Sequence, residues 1–356
     1  MTTEKYRGRL AASIENAVLR ITVLAQGGHI AEIADKATGV NPLWTPPWPT
    51  IEPSSYGPGD EAIYGGGSDA RLLAGIMGHN LCVDIFGPPS EHEARAGLGA
   101  HGEGSVAPYE LTAEDETLIA RAHFPIAGLE FERRIVLRGD TVMVREVLKN
   151  VMNSPRAIGW TQHVTLGPPF LERGTTQFRA SATRSKVFES TFGADDYLRP
   201  AAEFDWPMAP GLEGGTVDLR SFSDRPRSSA YTAHLMRSAG PAFFAAFSPA
   251  FELALSYVWS PSDFPWMGIW EENHSRMNPP WNGTTLTRGM EFGVSPMPET
   301  REEMVRRGAL FDAPAFRRIA AGETVVVEYA IRLQHAPAAP ESAAWPPGRL
   351  PGMIRR

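Results

Sequence analysis

Two histidines and a glutamate stand out by residue type and setting: His101, His163 and Glu291. His101 lies in Gly99-Ala-His-Gly-Glu-Gly104, where the glycines at 99 and 102 let the backbone turn tightly and expose the imidazole. His163 lies in Trp160-Thr-Gln-His-Val164. Strand alternation puts Trp160, Gln162 and Val164 on one face and Thr161, His163 and Thr165 on the other, so His163 belongs to a polar face. Glu291 follows in Arg288-Gly-Met-Glu-Phe-Gly-Val-Ser-Pro296. Imidazole titrates near neutral pH unaided, and a placed carboxylate accepts hydroxyl protons. The order His…His…Glu therefore points to acid–base chemistry. Glu271, Glu272 and Glu299 are alternative bases.

The aromatic residues suggest what is acted on. Trp44, Trp48, Trp160, Trp206, Trp259, Trp266, Trp270 and Trp281 precede or interrupt loops rich in Pro, Gly and Asn. Indole rings stack on the apolar faces of sugars, while carboxylates and carboxamides bind hydroxyls. The stretch Trp266-Met-Gly-Ile-Trp-Glu-Glu-Asn-His274 combines the two and is the best candidate wall. The expected substrate contacts are His79, Glu103, Gln162, Trp270, Glu271 and His274. A metal site is the rival: His79, His92 and His101 with Glu91, Glu93 or Glu103 could supply ligands. No compact spacing such as His-x-His or His-Glu-x-x-His supports it, so neither metal nor cofactor is expected.

The elements that would position these residues read as all-β. Leu19, Ile21 and Val23 alternate, Gly27-Gly28 turns the chain, and Ile30 and Ile33 resume. Residues 41–58 are a loop dense in Pro and Trp, where proline excludes helix and central strand. Residues 60–100 read as glycine-rich turns without the Lys-Ser/Thr ending of a phosphate loop. From 108 a meander is predicted over 109–112, 117–124, 129–137 and 141–148, spaced by about ten residues. No periodicity is clear in 172–230. Strands are predicted again at 230–237, 242–247, 253–259 and 324–333, and 299–307 is the one helix candidate. The expectation is one domain over 1–335 and a Pro/Ala-rich tail over 336–356, pinned to the surface or mobile.

Composition narrows the partners. The chain has 356 residues, 34 basic and 41 acidic, for a net charge of -7, and no basic block, so nucleic acid is not expected. Gly 34 and Pro 31 favour frequent turns between short strands. A single cysteine, Cys82, excludes an intrachain disulfide and reads as a buried core thiol. With neither an apolar leader nor a membrane span, a cytoplasmic protein is expected. Nothing indicates an oligomeric state.

Several segments together resemble the aldose 1-epimerase, or galactose mutarotase-like, superfamily, nearest to its glucose-6-phosphate epimerase-like branches. They are Gly78-His-Asn-Leu-Cys-Val-Asp-Ile-Phe-Gly-Pro88, Ala100-His-Gly-Glu103, Pro108-Tyr-Glu-Leu111, Trp160-Thr-Gln-His163, Arg288 to Pro296, and Gly322 to Tyr329. The resemblance implies a large antiparallel β-supersandwich with its site on one concave face. It also implies that Glu291 takes the anomeric hydroxyl proton, His163 protonates the ring oxygen and His101 polarises the substrate, with no cofactor. The sequence departs from the pattern in two places. Glu103-Gly-Ser-Val106 stands where sugar-phosphate relatives carry an arginine, which argues for a neutral sugar, and Glu291 is followed by Phe292 instead of proline. The alternatives are a non-catalytic carbohydrate-binding or sensing protein on the same scaffold, and a metal-dependent sugar isomerase.

Overall fold

The computed structural model describes residues 1–346. Two large antiparallel sheets face each other across one apolar layer. The longer sheet runs Thr2–Tyr6, Arg9–Glu15, Leu19–Leu24, Ile30–Asp35, His79–Asp84, Arg156–Leu166, Leu286–Gly293, Trp266–Asn273, Ser228–Met236, Ala182–Val187 and Glu203–Asp205, with Arg317–Ile319 pairing the start of the 156–166 strand. The second sheet runs Gln177–Ala180, Ala242–Ser248, Leu253–Trp259, Thr324–His335, Thr141–Asn150, Leu129–Arg138, Thr117–Phe124 and Glu110–Glu114. This is the all-β antiparallel architecture that the alternating sequence predicts, and the large supersandwich that the resemblance implies.

The layer between the sheets is aromatic at its centre. Trp259 stacks on Phe292 at 4.3 Å and Phe244 on Tyr257 at 4.9 Å between ring centroids. Such offset stacks bury large apolar area and add about 0.5–1.5 kcal/mol each beyond it. A polar network is embedded beside them. Arg133 Nε donates to Glu146 Oε1 at 2.8 Å, Gln162 Nε2 to Glu146 Oε2 at 2.6 Å, and Tyr329 to Glu146 Oε1 at 3.1 Å.

The outer face of the longer sheet is covered too. Trp44, Trp48, Tyr64, Leu72, Leu73 and Phe86 pack there against Tyr231, Trp266, Trp270 and Trp281. The Trp/Pro segment 41–58 thus wedges against the sheet, with Trp44 parallel to Trp281 at 6.2 Å. Double-sided burial explains why some strands carry no alternation. Every residue of His79–Asp84 is buried, and that strand, together with the short helices Glu61–Tyr64, Ala70–Gly75 and Glu91–Arg95, lies where the sequence reads as irregular turns.

Other expectations need adjustment. The N-terminus adds strands Thr2–Tyr6 and Arg9–Glu15 before the Leu19–Leu24 and Ile30–Asp35 pair. The helix at 299–307 is Arg301–Arg307, started by a reciprocal pair of hydrogen bonds between Thr300 and Glu303. The described part of the tail, 336–346, lies on the second sheet: Ala336 N donates to Glu252 O at 2.8 Å, and Ala339 packs with Phe247 and Ala254. The remainder of the expected tail lies outside the described residues. No helix among them is long and apolar enough to cross a membrane.

Candidate active site

Strand register builds the site. In the 156–166 and 286–293 strands, His163 sits directly opposite Glu291. Opposed residues project from the same face with Cβ atoms about 5 Å apart, so the two side chains must meet. His163 Nε2 stands 3.1 Å from Glu291 Oε1. The contact lies off the hydrogen-bond axis, which leaves Oε1 buried without an aligned donor among the described residues. Gly289 makes room for this carboxylate, because a Cβ there would collide with Oε1.

His101 arrives from a loop. It adopts φ 63°, and its backbone is held from two sides: its N–H donates to Gly87 O at 3.1 Å and its carbonyl accepts from Val83 N at 3.1 Å. Gly102 follows at φ 75°, where a Cβ would strike the Val83 carbonyl, so only glycine lets the loop lie this close to the strand. The His101 ring ends 5.3 Å from His163, edge to face. Trp270 lies 5.7 Å from His163 on the other side, and Trp281 stands 5.9 Å from Trp270.

These residues line a cavity of about 390 Å³, with Phe86, Tyr231, Phe192, Asp69 and Arg276 completing the wall. Burial sets the proton states. It pushes the Glu291 carboxyl up to about 8 and His101 down to about 4. Burial also drives His163 well below its usual range, and neighbouring His101 adds to that shift. Near neutral pH the Glu291–His163 pair therefore holds one proton. Three polar atoms in this pocket lack hydrogen-bond partners among the described residues: Glu291 Oε1, His101 Nδ1 and Trp270 Nε1. Buried polar atoms are nearly always satisfied, so these three leave hydrogen-bonding capacity unused beside the cavity.

Of the residues expected at the site, His101, His163, Glu291 and Trp270 come together. The remaining expectations require correction, each for a local reason. His79 and Gln162 face the inter-sheet layer, where His79 Nε2 lies 2.9 Å from Gln162 Oε1 and His79 Nδ1 lies 3.3 Å from the Tyr257 hydroxyl. Glu103 accepts a hydrogen bond from Ala127 N at 2.8 Å and pins the 124–129 turn. Glu271 points to the same inner side as Met267 and Ile269, bound by Ser228 at 2.5 Å and Tyr197 at 3.2 Å. His274 is half-buried, its Nδ1 2.8 Å from Gly283 O.

The alternative bases are also occupied. Glu272 Oε1 accepts from Ser275 N at 2.7 Å and Arg276 N at 2.9 Å, while its Oε2 has no hydrogen bond among the described residues and only the Arg276 ion pair at 3.4 Å; Glu299 accepts from Arg307 Nε at 2.9 Å. The rival metal set is scattered between the core (His79), the exposed 91–95 helix (His92) and the pocket (His101). Among the described residues no three His, Cys, Asp or Glu side chains cluster as ligands. Sequence reasoning missed Asp69 and Arg276 altogether. Both sit on loops, where no periodicity reports which way a side chain points.

No family model and no curated protein sequence matches the chain. Solved structures do. A candidate aldose 1-epimerase from Klebsiella pneumoniae superposes with TM-score 0.62 over 94% of this chain and 82% of its own, at 13% identity. Another from Escherichia coli K12 gives 0.60 over 91% and 99%, at 14% identity. A galactose mutarotase-like protein from Clostridium acetobutylicum gives 0.59 over 94% and 98%, at 11% identity. The chain has the galactose mutarotase-like fold. At these identities the likeness speaks for the fold alone, and function rests on the site itself.

Proposed function

We propose that the chain is an aldose 1-epimerase-like enzyme that interconverts the anomers of a monosaccharide. The observation that carries this reading is the Glu291–His163 pair, 3.1 Å apart at the floor of an aromatic-walled pocket. Anomer exchange needs one proton removed and one delivered, and no redox change. Moving the proton of the pair from Glu291 to His163 leaves a carboxylate base beside an imidazolium acid. Glu291 takes the proton of the anomeric hydroxyl, and the O–H electron pair becomes the second bond of the C1 aldehyde. The bond from C1 to the ring oxygen breaks, and that oxygen receives the His163 proton. Rotation about C1–C2 and the reverse steps give the other anomer and restore both groups. His101, neutral at pH 7, hydrogen-bonds the sugar and holds it against the pair.

The test is anomer exchange by NMR with a panel of aldoses, for the wild-type protein and His163→Ala. Exchange above the buffer rate that disappears in the variant supports the reading. Sugar binding without acceleration for any aldose would favour a sugar-binding or sensing role on the same scaffold.

A further inference from the structure

The His163 ring has a partner on each of its nitrogens. Nε2 faces Glu291 Oε1 at 3.1 Å, and Nδ1 lies 3.0 Å from the Thr165 hydroxyl oxygen. We propose that Thr165 is a positioning residue: it accepts the Nδ1–H of His163, which fixes the ring and leaves the Nε2 lone pair free for the Glu291 proton. The inference rests on reading Glu291 and His163 as the acid–base pair and adds what keeps that pair in working order.

The sheet dictates the arrangement. Residues two apart on a strand share a face, so Thr165 lies beside His163 on the pocket side. On the neighbouring strand Gly289 is opposite Thr165, as Glu291 is opposite His163. The row next to the pair thus carries a hydroxyl beside the imidazole and no side chain beside the carboxylate. Thr165 is fully buried, and its backbone is held from two sides. Its N–H donates to Gly78 O at 3.2 Å, and its carbonyl accepts from Trp44 N at 2.8 Å. Trp44 packs just beyond it, where a Cβ on Gly167 would lie 2.6 Å from the indole Cδ1. The hydroxyl is therefore shielded from water, and its β-branched side chain has few rotamers open to it.

A neutral imidazole has one N–H, and the partner of one nitrogen decides what the other can do. A hydroxyl can donate or accept, so Thr165 alone would allow either tautomer. The backbone carbonyl of His163 sets the direction. It also accepts from the ring, and only Nδ1 can reach its own main chain. A carbonyl cannot donate, so Nδ1 carries the hydrogen and Thr165 is its second acceptor. A contact within one residue is sharply bent and weak, which leaves Thr165 to hold the ring. Once His163 is charged, its bond to Thr165 becomes charge-assisted and strengthens. Thr165 thereby favours the imidazolium that ring opening needs.

The experiment reads the His163 tautomer by two-bond 1H–15N NMR in the full chain labelled with 15N-histidine, the signals assigned by their loss in His163→Ala. Wild type, Thr165→Val and Thr165→Ser are compared, with thermal melts confirming folding and anomer exchange giving kcat and KM for D-glucose and D-galactose. Wild type at pH 7 is expected to show a neutral ring protonated on Nδ1. Valine keeps the shape and removes the acceptor. Thr165→Val is expected to populate the Nε2–H tautomer and to lower kcat by about tenfold or more, with KM within about twofold. Thr165→Ser is expected to restore both the tautomer and kcat, which a merely structural threonine would not require. An Nε2–H ring in the wild type would overturn the proposal, whether or not Thr165→Val folds. So would a Thr165→Val protein with unchanged tautomer and kcat, or a Thr165→Ser protein that behaves like it. If no aldose exchanges faster than in buffer, the epimerase reading falls by itself. The tautomer, read without sugar in wild type and variants, then still decides whether Thr165 fixes the ring.

Discussion

Adjacent residues of one strand, Gln162 and His163, belong to two polar clusters on opposite faces of the longer sheet. The inner cluster joins Arg133, Glu146, Gln162, His79, Tyr257 and Tyr329. The outer one joins His163, Glu291 and His101. Both are buried, and both contain histidine and glutamate. The inner carboxylate accepts three hydrogen bonds: from Arg133, Gln162 and Tyr329. The outer carboxylate has an oxygen with no aligned donor, beside a histidine nitrogen and an indole N–H in the same condition. Residue type and burial do not separate structure from chemistry here. Satisfaction does: the inner network is completed between the sheets, and the outer one keeps unused hydrogen-bonding capacity beside the cavity, as the proposed sugar site requires.

The contrast is sharpest in what deletion should cost. Glu291→Gln and His163→Ala are expected to lower exchange by about 10²–10⁴-fold, the range for losing a general acid or base, with the fold retained. NMR exchange with circular dichroism checks both; near-wild-type exchange in Glu291→Gln would refute the base assignment. Glu146→Ala is expected to do the reverse. It strands Arg133 in the core without its partner and should cost about 3–5 kcal/mol by denaturant titration. A loss below about 1 kcal/mol there would break the comparison, since the inner network would then not be structural.

Stability against pH separates the clusters again. The Glu291 carboxyl sits at about 8 in the folded chain against an ordinary value of 4.5. Its contribution is fully present below the ordinary value and is lost as pH rises through about 8, because the unfolded chain releases the proton first. By pH 7 the loss is on the order of 3 kcal/mol. Glu291→Gln carries no such proton, so its stability should fall less between pH 5 and 8 than that of the wild type. Identical profiles would show that Glu291 ionises normally. At the acid end both proteins should weaken alike below the ordinary histidine range of 6.5, since burial holds His29 and His234 near 3 and His101 near 4.

The two faces also differ in how legible they were. Alternation along Trp160–Thr165 already assigned His163 and Gln162 to opposite sides, and the structure keeps that division. Expecting Gln162 to touch substrate went against this pattern. The meander from 110 to 150 was readable because buried and wetter positions alternate along Leu129–Arg138 and the second half of Thr141–Asn150, with turn residues between the strands. The 79–84 strand was not, because it is buried on both sides and shows no period. Glu271 and His274 were chosen for lying near Trp270 in sequence, but a strand turns successive side chains to opposite faces, and His274 already belongs to the turn. Asp69 and Arg276 come from loops that only the tertiary fold brings together.

Glu103 gives the smallest effect and the finest discrimination. It lies two residues from His101 in sequence, and its position after the His-Gly turn suggested a substrate contact. The structure places its carboxylate against the backbone N–H of Ala127, so it acts on a turn of the second sheet and not on the pocket. Burial pushes this carboxyl up, opposed by hydrogen bonds from the Ala127 and Ile126 backbone. Glutamine keeps the shape and one carbonyl acceptor while removing the charge. Glu103→Gln should therefore cost no more than about 1 kcal/mol in stability and leave KM and kcat for a neutral aldose within about twofold. If KM instead rises by about tenfold, Glu103 reaches the sugar, and its bond to the Ala127 backbone is not what fixes its role.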